Sequence, residues 1–243
     1  GVSGVRIELL EHYRDFLNKN LIPYTPREGS VGYLCAEGHI AAVLLGEGRA
    51  YYKGELSDSK TALGKAGMAP FAPSYKEGLA LLNGTSSPTA LAAIGIYDLL
   101  KAVESADVVA AMSFEMLNGL LRAYDERVLN CRPQKELLET ADIIKRMLRG
   151  SQVTKKAEGT HVQDPLSLRC IPQLHGAVKK TLRDAWAAIE VEINGCADNP
   201  IVCGEPDDPQ VFSNGNPDAS YVGIEMDSAC IAATAAAKMS ERR

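Results

Sequence analysis

The chain has 243 residues, a formal net charge of −5 and a hydrophobic content of 46%. It is long enough to bury a sizeable core in one large domain or two modest ones. The acidic balance gives no electrostatic footprint for nucleic acid. No apolar run approaches the roughly 20 residues that span a bilayer, so we expect no membrane association and a cytoplasmic location. The six scattered cysteines favour reduced, buried thiols over a disulfide framework.

Helical patterns dominate the first third of the chain. Ser3 is a candidate N-cap for a first amphipathic helix, and a short apolar helix is predicted over 39–45, closed by Gly46. The stretch 51–73, rich in glycine, lysine and serine, is predicted to be an irregular loop. A short helical piece is expected to follow over 76–82.

The strongest helix signal begins at 86–88, where two serines precede a proline suited to the first helical position. No proline follows before Pro133, so one helix is predicted from Thr89 to about Val128, on the order of 60 Å long at 1.5 Å per residue. It is apolar around much of its circumference. The pattern therefore predicts a mostly α fold in which long helices form a bundle and pair across subunits.

The second half of the chain continues this organisation. Three further helices are predicted by apolar periodicity, over residues 134–148, 173–193 and 218–238. The stretch 199–216 between the last two is predicted to form turns and a short hairpin. The chain begins without methionine and ends without a helix stop signal, which indicates an internal piece of a longer polypeptide.

Three stretches give a specific signal when they are taken together. They are Arg27–Gly48 (REGSVG…HIAAVLLGEG), Lys76–Thr85 (KEGLALLNGT) and His161–Gly176 (HVQDPLSLRCIPQLHG). Together with Glu192–Val202 (EINGCADNPIV) they resemble the aromatic amino acid ammonia-lyases over nearly the whole chain, with histidine ammonia-lyases as the most similar branch. The resemblance implies a long-helix bundle of the fumarase/aspartase-like type. It also implies a homotetramer whose sites are built from more than one chain.

Family members eliminate ammonia from an α-amino acid, which requires removal of a weakly acidic β-proton and loss of a poor leaving group. They make an electrophile for this purpose, methylidene-imidazolone (MIO), by cyclising an internal Ala-Ser-Gly tripeptide with loss of two waters. In the family this tripeptide follows Gly-Ser-Val-Gly, and six residues then lead to His-Ile-Ala. Here the six residues 33–38 follow Gly32 directly, so three residues are missing between Gly32 and Tyr33.

Two explanations of the missing residues stay open. In the first, the tripeptide has become MIO, which a sequence written in ordinary amino acids would omit, and Gly32 and Tyr33 flank the cofactor. In the second, the loop is truly shortened and no electrophile forms. Under the first explanation, residues 1–85 contain the MIO loop and residues 86–243 form the bundle core. No metal cofactor is expected, since no histidine is paired with carboxylates at ligand spacing.

The resemblance assigns three polar side chains to the reaction. Asn83 matches an asparagine that hydrogen-bonds near the electrophile and the substrate amine, and Gln163 matches a glutamine that helps position both. Arg169 matches the arginine that binds the substrate carboxylate, a role that suits a planar guanidinium. Without the resemblance, Asn83 would be interpreted as a helix-terminal residue before Gly84, Gln163 as a loop residue and Arg169 as part of a surface ion pair.

Two positions depart from the family pattern. Leu166 occupies the substrate-binding position where the family usually has a tyrosine, three residues after the glutamine, and it cannot supply a hydroxyl. Pro217 replaces a phenylalanine that histidine lyases tend to have after Gly-Asn. The resemblance also places the main catalytic base, a tyrosine, together with a substrate-contacting histidine, before residue 1. A further glutamate is expected after residue 243.

The predicted function is therefore an MIO-dependent ammonia-lyase in amino acid degradation, acting on an aromatic or imidazole (histidine-like) α-amino acid and incomplete as this fragment. An aminomutase is an alternative, because it uses the same electrophile and returns the amine to the adjacent carbon. A non-catalytic structural core or degenerate paralogue is the other, since Leu166 and Pro217 break the family pattern.

Overall fold

The computed structural model describes residues 1–27 and 35–243, and α-helices account for most of this part of the chain. The helices are α1 (Ile7–Asn18), α2 (Cys35–Leu44), α3 (Ser59–Lys65), α4 (Glu77–Ala80), α5 (Ser86–Met116), α6 (Glu126–Leu129), α7 (Lys135–Met147), α8 (Gln152–Ala157), α9 (Leu166–Arg169), α10 (Ile171–Asn194) and α11 (Ser220–Glu241). The strands are β1 (Leu21–Pro23), β2 (Arg49–Tyr52), β3 (Glu55–Asp58), β4 (Ile201–Glu205) and β5 (Asp208–Phe212). The predicted mostly α fold class is confirmed. Within the described residues, none of the helices combines the length and apolarity needed to cross a membrane.

The described residues divide into two compact units. The first unit contains residues 1–90 and 191–219, and the second contains residues 91–190 and 220–243. Contacts therefore return the stretch 191–219 to the N-terminal unit. The division at residue 85 in the sequence analysis separates two continuous segments. It does not describe a unit that is made of two separate stretches of the chain.

The first unit contains an antiparallel sheet in the order β1-β2-β3. The prediction of an irregular loop over 51–73 is wrong here, because β2 and β3 form a hairpin whose turn residues Lys53 and Gly54 have φ values of 51° and 86°. Two positive φ values match the right-handed twist of paired strands. Asp58 then caps α3 by accepting a hydrogen bond from the Thr61 N–H at 3.0 Å. The short hairpin lacks an apolar alternation strong enough to be recognised in the sequence.

The predicted N-cap of the first helix is also wrong. The helix α1 begins at Ile7, and the preceding Arg6 makes no side-chain cap. Ser3 instead donates a hydrogen bond from Oγ to Asp198. A local capping signal was therefore overridden by a partner 195 positions away in sequence.

The second unit is built around the long helices. One core cluster combines apolar residues of α5, α10 and α11, namely Ala92, Ile96, Val103, Val178, Leu182, Ala185, Ile189, Val222, Ala229 and Ala232. The other combines residues around α7 and α9, including Phe114, Tyr124, Leu137, Ile144, Leu168 and Ile171. The helices predicted over 134–148, 173–193 and 218–238 are confirmed as α7, α10 and α11. The hairpin predicted within 199–216 is confirmed as β4 and β5.

The long helix α5 is shorter than predicted, because it ends at Met116 rather than near Val128. Asn118 adopts a left-handed φ of 55°, and the Gly119 N–H donates to the Phe114 carbonyl at 2.8 Å. This is the hydrogen bond that closes a Schellman motif. A Cβ atom at Gly119 would lie 2.5 Å from the Phe114 ring. The dipeptide Asn118-Gly119 is therefore the stop signal of α5, and it precedes the first proline after the helix, Pro133.

The cysteines that the structure describes are free but not buried, which corrects part of the prediction. Among the five described thiols, Cys131 and Cys230 are exposed, and Cys170, Cys196 and Cys203 are partly buried. They lie at helix ends, in loops or on the hairpin, or on the exposed side of α11, rather than on core-facing positions.

Substitution of Gly176 tests the packing of α10 on α7. A Cβ atom at this position would lie 2.6 Å from the Leu137 backbone nitrogen. Backbone cannot move aside as a flexible side chain does, so Gly176→Ala is expected to lower the free energy of unfolding by about 1–3 kcal/mol. Urea unfolding of the purified protein measures the change.

Gly64 is the matched control, because it lies in a helix and no atom comes within 4 Å of its added Cβ. Gly64→Ala is expected to raise the free energy of unfolding by about 0.5–1 kcal/mol through the lower entropy of the unfolded chain. Similar unfolding midpoints for both variants would contradict the packing argument.

Candidate active site

Arg169 is the last residue of α9, and its guanidinium is oriented but not neutralised. Nη1 donates to Gln163 Oε1 at 2.6 Å. Nε is buried and has no hydrogen-bond partner among the described residues. A buried guanidinium N–H without an acceptor costs free energy unless a ligand supplies one. The guanidinium is therefore held by Gln163, and its Nε–H is left without a partner among the described residues.

Arg169 and Gln163 line a cavity of about 1,210 Å³ in the second unit. The other cationic side chains of its wall have acidic partners nearby: Arg122 pairs with Glu158, Arg127 with Asp125, and Lys145 with Glu126. No such pair involves Arg169 in the part of the chain that the structure describes. Within this wall, Arg169 is the cation with unused capacity for a carboxylate.

Two carbonyl groups of α9 are held by side chains from elsewhere in the second unit. The Tyr124 hydroxyl donates to the Leu168 carbonyl at 2.7 Å, and Arg243 Nε donates to the Ser167 carbonyl at 3.3 Å. Burial raises the pKa of Tyr124, which keeps its hydroxyl protonated as a donor. A helix of four residues has little stability of its own. These tertiary hydrogen bonds therefore determine where Arg169 stands.

Asp164 fixes the loop that carries Gln163. This carboxylate is buried, and its Oδ2 accepts the Leu120 N–H at 2.7 Å. Its Oδ1 lies 2.8 Å from His161 Nε2. Gln163 is therefore flanked by two anchored residues, although its own side chain is exposed.

A buried polar network that was not predicted from the sequence lies behind α9. Asp107 lies 2.7 Å from His175 Nδ1 and forms an ion pair with Lys179, whose Nζ also donates to Thr140 Oγ1 at 2.9 Å. His175 Nε2 lies 2.7 Å from Arg243 Nη2. Burial lowers the pKa of Arg243. His175 and Lys179 are one turn apart on α10, but Asp107, Thr140 and Arg243 are separated from them and from one another by tens of residues. No local motif therefore indicates the network.

Asn83 lies in the first unit, after α4. Its Nδ2 donates to the Asn199 carbonyl at 3.0 Å, and Asn199 Oδ1 in turn accepts the Asn214 N–H at 2.9 Å. The Asn83 carboxamide is thus held in one orientation by the loop between α10 and β4. This arrangement differs from that of an ordinary helix-terminal residue, which would leave its side chain in solvent.

Asp198 anchors the same loop. It accepts hydrogen bonds from Ser3 Oγ and Lys76 Nζ, and Asn199 N donates to its Oδ1 at 2.7 Å. Although burial acts to raise it, these hydrogen bonds bring the pKa of Asp198 below its usual value. The loop that holds Asn83 is therefore tied by a charged group to two separate segments of the first unit, at Ser3 and at Lys76.

Glu77 anchors α4, the helix that precedes Asn83. Its carboxylate accepts from the Arg6 guanidinium at 2.6 Å, from the Arg6 N–H at 2.9 Å and from the Ser74 N–H at 2.8 Å. Hydrogen bonds from Arg6 lower the pKa of Glu77 from 4.5 to about 2. The side chain is 1% exposed, so these contacts are shielded from water.

The lowered pKa of Glu77 predicts a specific pH dependence. Because the folded-state pKa lies below the unfolded value, the stabilisation is complete above about pH 4.5 and is lost as the pH falls towards 2. Glu77→Gln is expected to lower the melting temperature at pH 7 and to match the wild type near pH 2. The exposed Glu55, which pairs with Lys65, is the control, and Glu55→Gln is expected to change little at either pH. A pH-independent difference for Glu77→Gln would contradict the assignment.

The predicted site residues have different places in the structure. Gln163 and Arg169 are in direct contact, and Leu166 begins the same short helix with 62% of its surface exposed. Asn83 belongs to the other compact unit. Gly32 and Tyr33 lie outside the described residues. Across residues 1–27 and 35–243, no group of three or more His, Cys, Asp or Glu side chains is placed to hold a metal ion.

Comparison with known proteins gives one family. The family model described as aromatic amino acid lyase matches residues 1–243. A histidine ammonia-lyase of Caldanaerobacter subterraneus subsp. tengcongensis is 39% identical over 246 aligned positions, which cover 100% of this chain and 48% of that protein. The chain therefore spans about half the length of the curated relatives it matches. The alignment is also three positions longer than the 243 residues of the chain (246 − 243).

Solved structures agree with this relationship. The crystal structure of histidine ammonia-lyase from Trypanosoma cruzi has a TM-score of 0.89 and 31% identity, covering 100% of this chain and 45% of that one. Tyrosine aminomutase from Streptomyces globisporus has a TM-score of 0.89 and 30% identity, covering 100% of this chain and 49% of that one.

Proposed function

We propose, because this chain belongs to the aromatic amino acid lyase family, that it forms the central part of a carbon–nitrogen lyase. The reaction would eliminate ammonia from an α-amino acid with an aromatic or imidazole side chain. The observation that carries the proposal is Arg169, an oriented guanidinium with a buried N–H that lacks an acceptor, in the wall of a cavity large enough for an amino acid. A substrate carboxylate would bind the accessible guanidinium donors that Gln163 leaves free and would balance the charge.

Arg169 and Gln163 would orient the substrate through its carboxylate. A guanidinium presents parallel N–H donors that match the two oxygens of a carboxylate. Gln163 Oε1 occupies one donor and fixes the rotation of the fork, so the remaining donors face a defined direction. Holding the reacting bonds in one orientation is worth several kcal/mol in a unimolecular step. Leu166 would add apolar surface in place of a hydroxyl.

Asn83 would serve the amine side of the reaction. Its carboxamide is held by the Asn199 carbonyl. A preoriented amide of this kind could form a hydrogen bond with the neutral amine of the substrate. In the elimination, the Cβ–H and Cα–N bonds break, a Cα=Cβ bond forms, and ammonia leaves. MIO, when formed, would supply the electron sink that makes the amino group a leaving group. The resemblance places the base that removes the proton before residue 1.

The processed form of the loop is the explanation that we adopt for the missing residues. The sequence contains no Ala-Ser-Gly tripeptide, and the alignment to a histidine ammonia-lyase is three positions longer than the chain. Three is also the number of residues in the tripeptide that would be converted to MIO. Asn83 also suits a site for MIO, since its carboxamide is an uncharged hydrogen-bond donor and the residue is half-buried.

Intact-mass measurement of the complete protein tests this explanation. The expected mass is that of the translated gene minus two waters, with the missing mass mapped to the peptide that joins Gly32 to Tyr33. A gene that encodes Gly32 and Tyr33 as neighbours, with an unmodified mass, would contradict the proposal. The protein would then be a non-catalytic core.

An aminomutase is the second candidate function, and the likeness to tyrosine aminomutase favours it. The two reactions share the same amine-binding requirements and differ in the fate of the released ammonia. Product analysis with a panel of aromatic amino acids and histidine separates them. An α,β-unsaturated acid indicates the lyase, whereas a β-amino acid indicates the aminomutase.

We further propose a cytoplasmic homotetramer. Large apolar side chains are exposed on α5 and α11, including Leu91 at 73%, Met116 at 81% and Ile231 at 73%. Such exposure along long helices is typical of surfaces that pack against other chains. Light scattering during size-exclusion chromatography of the complete protein tests the tetramer, and a monomer would contradict it.

A further inference from the structure

We infer that Asp107, His175 and Arg243 act as positioning residues for Arg169 and thereby control the binding of the substrate carboxylate. The inference rests on the proposed function, because it assigns the carboxylate to Arg169. It concerns residues that do not line the cavity described above. Their effect passes through the backbone of α9.

The hydrogen-bond directions within the network follow from chemistry. A guanidinium only donates, so His175 Nε2 must accept from Arg243 Nη2 at 2.7 Å. The imidazole proton then resides on Nδ1 and is donated to Asp107 Oδ1 at 2.7 Å. Asp107 therefore selects the tautomer of His175, and that tautomer provides the acceptor that holds Arg243.

Arg243 transmits this constraint to α9. Its Nε donates to the Ser167 carbonyl at 3.3 Å, while Tyr124 holds the next carbonyl, that of Leu168, at 2.7 Å. The following residue is Arg169. Two consecutive carbonyls of a one-turn helix are thus fixed from outside. Loss of either contact would allow the Arg169 guanidinium to turn away from the direction in which it binds a carboxylate.

Burial indicates that the network has a role beyond stability. Asp107 and His175 are each 1% exposed, and the charge of Asp107 is balanced by Lys179. Apolar side chains of the same volume often stabilise a core at least as well as buried ionic groups. This network does not close on itself but ends on the backbone of the element that carries Arg169. A purely stabilising cluster has no need of that connection.

The experiment compares two variants of His175 in the complete enzyme. Glutamine can place an acceptor oxygen near the position of Nε2, whereas leucine cannot. His175→Leu is expected to raise KM by about tenfold or more, because small displacements of an orienting group have large effects on binding and rate. We expect kcat to change less than KM. His175→Gln is expected to recover most of the loss.

A second readout separates positioning from general damage. The amine that lacks the substrate's carboxylate can still occupy the site but cannot engage Arg169. Its inhibition constant is therefore expected to be similar in His175→Leu and the wild type, while the amino acid binds more weakly to the variant. In an Arg169→Leu background, His175→Leu should add little further loss, since the group it positions is gone.

Further variants complete the test. Tyr124→Phe removes only the contact to Leu168 and is expected to reproduce the selective loss, which provides a result even if His175→Leu does not fold. Thr154→Val removes a buried hydroxyl of the second unit that donates to the Ser151 carbonyl at 3.4 Å, and it should leave both ligands unaffected.

Three outcomes would overturn the inference. They are equal weakening of the amine and the amino acid, a glutamine variant no better than leucine, and unchanged KM in both His175→Leu and Tyr124→Phe. A wild-type enzyme that converts no amino acid would overturn the proposed function as well, so the two failures are distinguishable.

Discussion

Replacing Arg169 with leucine is expected to lower kcat/KM for the amino acid substrate by about 10³-fold, equivalent to about 4 kcal/mol. Among the described cations of the cavity wall, Arg169 is the one that has no ion-pair partner. Leucine removes this charge and leaves the substrate carboxylate without a charged donor. Steady-state kinetics of the complete enzyme, with the substrate found by product analysis, measures the loss.

Arg122→Leu is the matched control for this prediction. Arg122 lines the same cavity, but it is 55% exposed and already paired with Glu158. Removing an exposed, neutralised cation is expected to change kcat/KM by no more than about threefold, since exposed ion pairs are worth less than about 1 kcal/mol. Equal losses in the two variants would show that general electrostatics, rather than a specific carboxylate contact at Arg169, governs binding.

Replacing Asp107 with asparagine is expected to lower the free energy of unfolding by about 3–5 kcal/mol. The substitution preserves shape but removes the charge that balances Lys179, which is buried among the helices of the second unit. A buried ammonium without a counter-ion must either lose its proton or admit water. Both responses destabilise the folded state. Urea unfolding at pH 7 measures the difference.

Asp142→Asn provides the comparison on an exposed helix face. Asp142 is 62% exposed and pairs with Arg146 one turn further along α7. Its loss is expected to change the free energy of unfolding by no more than about 0.5 kcal/mol. A destabilisation of Asp107→Asn no larger than that of Asp142→Asn would contradict the buried ion pair.

Local sequence signals predicted the helices but missed several of their ends. Apolar periodicity is repeated over many residues in α7, α10 and α11, so these helices could be recognised without tertiary information. The end of α5 depended on one Asn-Gly dipeptide, and the β2–β3 hairpin depended on one Lys-Gly turn. A signal of two residues also occurs where no helix ends or strand turns. Packing determines which of these dipeptides ends an element, as where the Phe114 ring leaves no room for a side chain at Gly119.

The candidate site shows the same division. Asn83, Gln163 and Arg169 could be selected as candidate site residues from the sequence, because they occur in ordered motifs that resemble those of a known family. Their surroundings could not be assigned. The network that ends at Arg243 joins residues as far as 136 positions apart (243 − 107).

The sequence by itself determined the helical class, the family and the residues that we propose for amino acid binding. Tertiary structure decided which buried groups orient those residues, which helix ends are closed and which part of the chain returns to the first unit. The reason is physical. Helix periodicity and motif chemistry are properties of neighbours along the chain, whereas a buried hydrogen bond or ion pair requires partners that only folding brings together.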